Sequence, residues 1–283
     1  MNTEQLKTFL SLAETKNFSR SAEALIISQS TVSKRIGELE KETGQPLFLR
    51  GRGGVRLTGA GQALREYAEQ IVNLEEKALS QMNRTGQYSG YLILGSAYAY
   101  YDMHLCSRLR VFAQRHPDVS VRVKCGHTGA LLNELRRALL DVAFTHHPFH
   151  NPDYVCICVG EDELVLVTDA KNTEHCGGIS YASVKELPLI DSNFLYGTTQ
   201  RRLFPPSCQF QLRMDIASCA VPLLKGGGWY AILARKHVEA LLQSGRLRVI
   251  PIRGEEIPPV QHYMVYRKES GQQPAVQKFI SAL

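Results

Sequence analysis

The chain has 283 residues, 44% of them hydrophobic and 21% charged, with a net charge of +6. That length favours two or three compact units over one, and the composition is that of a soluble globular protein. No apolar run approaches the roughly 20 residues of a membrane-spanning helix. The first residues lack an apolar stretch followed by small ones, so no secretory signal is expected and the expected address is the cytoplasm.

From the N-terminus, Leu6, Phe9, Leu10 and Ala13 fall at helical spacing, and Asn2 with Gln5 matches a capping box. A second short helix is expected, with Ser19 as its N-cap ahead of Ala22 and Leu25. Ile26 and Ile27 make a tight connection to a third helix, capped by Ser28, with Val32, Ile36 and Leu39 on one face. Gly44 ends it and Pro46 follows. Between Pro46 and Thr58, two β-prone runs flank a glycine-rich turn that carries Arg50 and Arg52, the pattern of a hairpin or wing.

Thr58 caps a long helix to about Met82. Ala60, Leu64, Tyr67, Ile71, Leu74 and Ala78 recur in it at spacings of four and three, a heptad seam opposite a charged face. A helix of about 25 residues is ~38 Å long. With the polar stretch Asn83–Ser89 behind it, it reads as a dimerising spacer.

From Tyr91, strands alternate with helices. Strands are expected at Tyr91–Gly95, Val119–Cys125, Val142–Thr145, Val155–Val159, Leu164–Thr168, Leu189–Ile190, Trp229–Leu233, Leu247–Ile252 and His262–Arg267. Helices are expected at Met103–Arg115, Thr128–Leu140, Ile216–Lys225, Lys236–Gln243 and Pro274–Leu283. The fold class is therefore α/β with a mostly parallel sheet, behind an N-terminal all-α winged helix-turn-helix. The stretch Thr145–Tyr154, with Pro148 and Pro152, is expected to divide this region into two lobes. The expected domains are 1–58, the winged helix-turn-helix; 59–89, the dimerisation helix and linker; and 90–283, the two-lobed α/β domain. Its first lobe takes about 90–160 and 265–283, and its second about 161–264.

Two helices joined by a short turn, the second with polar side chains at its start, have the geometry that enters a DNA major groove. The side chains placed to reach base edges are Gln29, Ser30, Thr31, Ser33 and Lys34. Lys34, Arg35, Arg50, Arg52 and Arg56 suit phosphates, which supply affinity more than sequence choice.

These residues resemble the LysR-type transcriptional regulators. The resemblance is carried by Leu6-Lys7-Thr8-Phe9, Asn17-Phe18-Ser19-Arg20-Ser21-Ala22, Leu25, Ser28-Gln29, Val32-Ser33, Ile36, Leu39-Glu40, Gly44, Leu47-Phe48, Arg50 and Leu57-Thr58-Gly59-Ala60-Gly61. It is dense over residues 1–65 and continues more thinly through His116-Pro117-Asp118-Val119, Leu140-Asp141-Val142-Ala143 and Gly226-Gly227-Gly228. It implies a DNA-binding dimer, assembled into a homotetramer through effector domains that resemble periplasmic solute-binding proteins. The implied partners are double-stranded promoter DNA, a small-molecule effector, further copies of the same chain and RNA polymerase, with no membrane, no cofactor and no metal. The family's DNA-contacting positions fall on Gln29, Ser30, Ser33, Lys34, Arg50 and Arg52. Lys34 stands where Arg is usual, and a lysine cannot make the bidentate contact of a guanidinium.

In such sheets ligands bind beyond the carboxyl ends of strands, where helix N-termini aim amides at them. The candidate effector residues are Ser96, Tyr98, His127, Thr128, His146 and Ser192. Thr128 reads equally as a helix cap, and Ser192 and Asn193 as ordinary turn residues. Trp229, the single tryptophan, stands ready either to stack on a ligand or to fill the core. The resemblance implies that ligand entry changes the angle between lobes, which the tetramer passes to the spacing of its winged helices.

Other readings use different residues. His146, His147 and His150 lie close in sequence to Cys156 and Cys158 and suggest a metal sensor, although Pro148 interrupts the helix that the pair His146/His150 needs. Peroxide-sensing members of the family that the chain resembles use a cysteine pair in the second lobe, and by that resemblance Cys208 and Cys219 are the candidates for a thiol switch. The seven cysteines form an odd set, which argues against a disulfide scaffold. An enzyme would need a motif such as Gly-x-Ser-x-Gly, a P-loop or His-Glu-x-x-His, and the sequence has none of them.

Overall fold

The computed structural model describes residues 1–51, 54–82, 88–195, 203–204 and 208–283; for 50, 76–77 and 80–82 it describes the backbone alone. The chain divides into two compact units. One holds Met1–Ile93 with Pro117–Val121 and Asn133–Leu140, and the other holds Leu94–His116, Arg122–Leu132 and Asp141–Leu283.

The first unit begins with α1 (Thr3–Thr15), α2 (Phe18–Leu25) and α3 (Gln29–Thr43). The expected capping box forms: the Gln5 backbone N–H donates to Asn2 Oδ1, and the Asn2 backbone N–H donates to Gln5 Oε1, each at 2.9 Å. Asn17, not Ser19, caps α2, accepting from the backbone N–H of Ser19 at 2.9 Å and of Arg20 at 3.2 Å. An Asn two residues further upstream competes for the same orphan amides and takes them. Leu6, Phe9, Leu12, Val32, Ile36, Leu39 and Leu47 form the buried core of the three helices.

Ile26 ends α2 with φ 55°, and its side chain is 92% exposed. A left-handed backbone costs an L-residue roughly 1–2 kcal/mol, and a β-branched one is a real outlier there. Nothing buried compensates, so Ile26→Gly is expected to raise stability by about 1 kcal/mol, readable as a higher urea midpoint.

The wing consists of β1 (Phe48–Gly51) and β2 (Gly54–Leu57), antiparallel, with Phe48 opposite Leu57 and Gly51 opposite Gly54. Thr58 then caps α4 (Gly59–Met82): its Oγ1 accepts from the Gly61 N–H at 3.0 Å. The heptad seam expected on α4 splits into two faces. Ala60, Leu64, Ala68 and Val72 pack on the helix-turn-helix core. Tyr67, Ile71, Leu74 and Ala78 stay exposed. Residues four apart share a face only in part when the helix must also serve its own domain, and here the winged helix takes the first of the two stripes. Most of the expected linker, residues 83–87, lies outside the described residues.

The remainder builds two five-stranded sheets. The first has the order β4-β3-β5-β14-β6, from β3 (Gly90–Ala97), β4 (Val119–Gly126), β5 (Val142–Thr145), β6 (Tyr154–Asp162) and β14 (Val260–Arg267). The second has the order β10-β9-β11-β7-β12, from β7 (Leu164–Asp169), β9 (Leu189–Asp191), β10 (Leu212–Arg213), β11 (Tyr230–Ala234) and β12 (Leu247–Ile250). Two short strands, β8 (Ile179–Ser180) and β13 (Ile252–Arg253), pair by themselves.

The sheets are mixed rather than mostly parallel. β3 runs parallel to β5, but β14 is antiparallel to both β5 and β6. β11 is parallel to β9 and antiparallel to β7. The reason is topological: the chain crosses from the first sheet to the second at Asp162–Leu164 and returns before Val260, and each crossing strand enters the other sheet without a helical crossover. The divider is this pair of crossings, not the proline-containing stretch at Thr145–Tyr154. The return also comes at Val260, ahead of the expected residue 265.

The helices of this region depart from expectation in detail. Before the expected start at Met103 come α5 (Tyr98–Tyr100) and a π turn (Tyr101–Leu105), which lead into α6 (Cys106–Arg115). α7 (Thr128–Arg136) is shorter than expected. Ala217–Leu224 winds as a 3-10 helix because Pro222 sits inside it. α8 (Arg235–Gln243) and α9 (Pro274–Ser281) lie close to their expected spans. Gly226, Gly227 and Gly228 have φ of +86°, +135° and +66°, so the turn into β11 takes conformations that side chains disfavour.

Candidate functional site

The start of α3 is built by Ser28. Its hydroxyl accepts from the Thr31 N–H at 3.1 Å and bonds the hydroxyls of Ser30 and Thr31, each at 2.8 Å. Val32, Ile36 and Leu39 lock the inner face of the helix. Gln29, Ser30, Ser33 and Lys34 therefore share the outer face, at i and i+4 spacings. Gln29, Ser30 and Lys34 are exposed and Ser33 is half-buried. Among the described residues the Lys34 ammonium makes only a 4.0 Å pair with Glu38.

Arg35 departs from expectation. Its Nη1 donates to Thr8 Oγ1 at 3.2 Å and pairs with Glu4 at 3.1 Å, so it fastens α3 to α1 instead of facing outward to phosphate. Thr31 is half-buried and tied to the Ser28 cap. Arg50 lies in β1, at the register position opposite Val55, while Arg52 falls outside the described residues.

In the second unit, one cavity lies between the two sheets. Ala97, Tyr98, Gly126, His127, Thr128 and His146 line it from the first lobe, and Ser192, Asn193, Phe194, Asp215 and Ala217 from the second. Five of the six candidate effector residues meet here. Ser96 does not: it is fully buried, its hydroxyl donates to the Ala97 carbonyl at 3.1 Å, and strand alternation gives the cavity to Ala97.

Thr128 is the first helical residue of α7, not its cap; its Oγ1 accepts from the His146 backbone N–H at 3.2 Å and so joins the α7 turn to the end of β5. The Tyr98 and His127 rings meet edge to face at 5.5 Å. Burial pushes the His146 ring down to about 3, with His262 and His147 acting in the same direction, so it faces the cleft as a neutral imidazole. The buried Ser192 hydroxyl donates to the Ile232 carbonyl at 2.5 Å, which holds the loop after β9 against β11.

Asp215 and Ala217 escaped the sequence reading because β10, which brings them to the cleft, is only two residues long and has no periodicity to detect. Trp229 packs against the core of the second lobe and lines a separate groove with Leu187 and Cys208.

The histidine cluster expected from sequence does not assemble. His147 and His150 are exposed, and among the described residues no group of metal-ligating side chains includes His146, His147 or His150. All seven cysteines are free thiols; Cys208 is half-buried, and Cys219 is exposed on the 3-10 helix where an amphipathic helix would have buried it.

Residues 3–62 match the family model of the bacterial regulatory helix-turn-helix protein, lysR family, and residues 85–283 match that of the LysR substrate binding domain. The HTH-type transcriptional regulator HdfR of Yersinia pestis (strain Pestoides F) is 32% identical over 166 residues, which cover 59% of this chain. That matched stretch spans 56%, little more than half, of the curated relative's length. Among solved structures, the LysR family transcriptional regulator CbnR superposes with a TM-score of 0.74 at 21% identity, over 100% of this chain and 98% of that one. CbnR in complex with its target DNA superposes with a TM-score of 0.73 at 20% identity, over the same shares of both chains. With both halves matched in order, the chain belongs to the LysR family of bacterial helix-turn-helix regulatory proteins.

Proposed function

We propose that this chain binds promoter duplex DNA as a dimer and that a small molecule in the cleft of its C-terminal half modulates that binding. The observation that carries the reading is the outer face of α3: Gln29, Ser30, Ser33 and Lys34 stand together where folding uses little of their polar capacity. A side-chain amide reads adenine, hydroxyls adapt to several bases, and an ammonium neutralises phosphate. The cleft supports the second half of the reading, since it joins both lobes and presents hydroxyls, neutral imidazole and one carboxylate. A tetramer formed through the C-terminal halves belongs to the same reading, as does cytoplasmic action on RNA polymerase at the promoter.

The test is fluorescence anisotropy of the full chain on duplexes that it selects from a random pool, in a salt series. Binding should weaken steeply with salt. Lys34→Ala should weaken all duplexes alike and lower the salt slope by about 1. Gln29→Ala should cost about 1–3 kcal/mol on the selected duplex and almost nothing on random DNA. Salt-independent binding, or an equal effect of both substitutions on all duplexes, would overturn the assignment of α3.

A further inference from the structure

Behind His146 of the cleft, three side chains distant in sequence converge. His104 stands in the π turn, Asp162 ends β6 and His262 lies in β14. His104 Nε2 is 2.6 Å and His262 Nε2 is 2.7 Å from the same oxygen, Asp162 Oδ2. The three ligating atoms lie within 4.8 Å of one another, and among the described residues no other group of three or more His, Cys, Asp or Glu side chains is so gathered.

The rings are oriented from behind. Tyr100 stacks on His104 at 5.0 Å and 23°, lies at 5.0 Å from His262, and itself rests on Phe144 at 4.9 Å. His262 is 1% exposed, and its Nδ1 is 3.1 Å from His146 Nδ1. Outer partners of this kind fix ring orientation and tautomer in metal sites. The π turn displaces His104 from its regular helical position, a distortion frequent at functional sites.

We propose that His104, Asp162 and His262 form a binding site for a divalent transition-metal ion, held by two Nε2 atoms and one carboxylate oxygen. Two imidazoles with one carboxylate suit zinc, cobalt, nickel or ferrous iron, whereas calcium and magnesium prefer oxygen alone. Metal bonds of about 2.1 Å require ligand atoms roughly 3.4 Å apart, so the two N···O distances need open by only about 0.7–0.8 Å. His104 is partly exposed, so water could complete the coordination from its side.

Lys236 Nζ lies 3.2 Å from His104 Nδ1. An ammonium only donates, so Nδ1 accepts and the ring proton sits on Nε2. Ligation through Nε2 moves that proton to Nδ1, where Lys236 no longer has an acceptor. Lys236 therefore competes with the metal, and removing its charge should tighten binding. Lys236 belongs to α8 of the second lobe, while all three ligands belong to the first, so metal binding would release a contact between lobes.

The test uses the full chain, treated with chelator and then freed of it, titrated with cobalt(II) by visible absorption and with zinc by calorimetry. One equivalent should bind, with ligand-field bands and no near-ultraviolet thiolate charge-transfer band. H104Q and D162N should each weaken binding at least about 100-fold, while His147→Asn with His150→Asn should leave it unchanged. K236M should bind several-fold more tightly, and unchanged affinity would overturn the competition by Lys236. H262Q adds a third ligand test if circular dichroism shows it folded, but the partly exposed His104 suffices without it. Absence of binding, a thiolate band, binding undiminished by H104Q, or weaker binding by K236M would each overturn the proposal.

Discussion

Replacing Gly61 with alanine is expected to cost the N-terminal unit about 3 kcal/mol and to remove the proposed DNA binding with it. The reason is space, not backbone conformation. A Cβ on Gly61 would stand 2.2 Å from the Leu47 carbonyl oxygen and 2.9 Å from Leu57 Cδ2. The Leu47 peptide cannot retreat cheaply. Its carbonyl accepts from the Thr58 N–H at 3.0 Å, and its N–H donates to Glu40 Oε1 at 2.7 Å, the same oxygen that takes the Phe48 N–H at 3.1 Å. Moving it breaks the joint between α3, the wing and α4. The helix propensity of alanine returns only about 1 kcal/mol. Gly59→Ala is the control: nothing lies within 4 Å of its Cβ, and its effect should stay within about 0.5 kcal/mol. Urea unfolding followed by circular dichroism, with hydrogen exchange over α1 and α4, measures both. Equal midpoints for the two variants would mean that the Leu47 joint yields, contrary to this account.

The local chemistry of the first sixty residues was legible because it is written in neighbours. Asn2 and Gln5, Ser28 and Thr31, and Thr58 and Gly61 are three residues apart, and each pair forms the bond its spacing implies. Where two local signals compete, as Asn17 and Ser19 do, spacing alone did not choose. The inward turn of Arg35 was hidden because its partners Glu4 and Thr8 belong to another helix.

The C-terminal half repeats this contrast on a larger scale. Tyr98, His127, Thr128, His146 and Ser192 could be nominated individually because each follows a readable strand, and the fold brings them to one cavity. The pairing of β14 with β5 and β6 spans about a hundred residues and carries no local mark, so neither the mixed sheet nor the meeting of His104, Asp162 and His262 could be read in advance. The π turn that aims His104 has no periodicity of its own.

Leu74→Glu is expected to convert the proposed dimer to a monomer at micromolar concentration while leaving each chain folded. α4 spends one stripe, Ala60, Leu64, Ala68 and Val72, on its own domain, and Lys7 ties it further to α1 through a 3.2 Å pair with Glu75. The other stripe keeps Tyr67 at 64%, Ile71 at 38% and Leu74 at 68% exposure, with Ala78 also open. These four recur at four, three and four, the spacing of a seam between two helices. In a two-fold dimer each substitution enters the interface twice, so Leu74→Glu would bury two carboxylates without counter-charges. A loss of about 3–5 kcal/mol follows, roughly 100- to 4,000-fold in the dimer dissociation constant. Because Leu74 is solvent-exposed within its own chain, the monomer should keep its far-ultraviolet spectrum and urea midpoint. DNA binding should fall further than the single-site affinity, since two α3 helices no longer act together. Sedimentation equilibrium of both proteins decides the matter: a Leu74→Glu chain that remains dimeric would place the self-association surface elsewhere than on the outer stripe of α4.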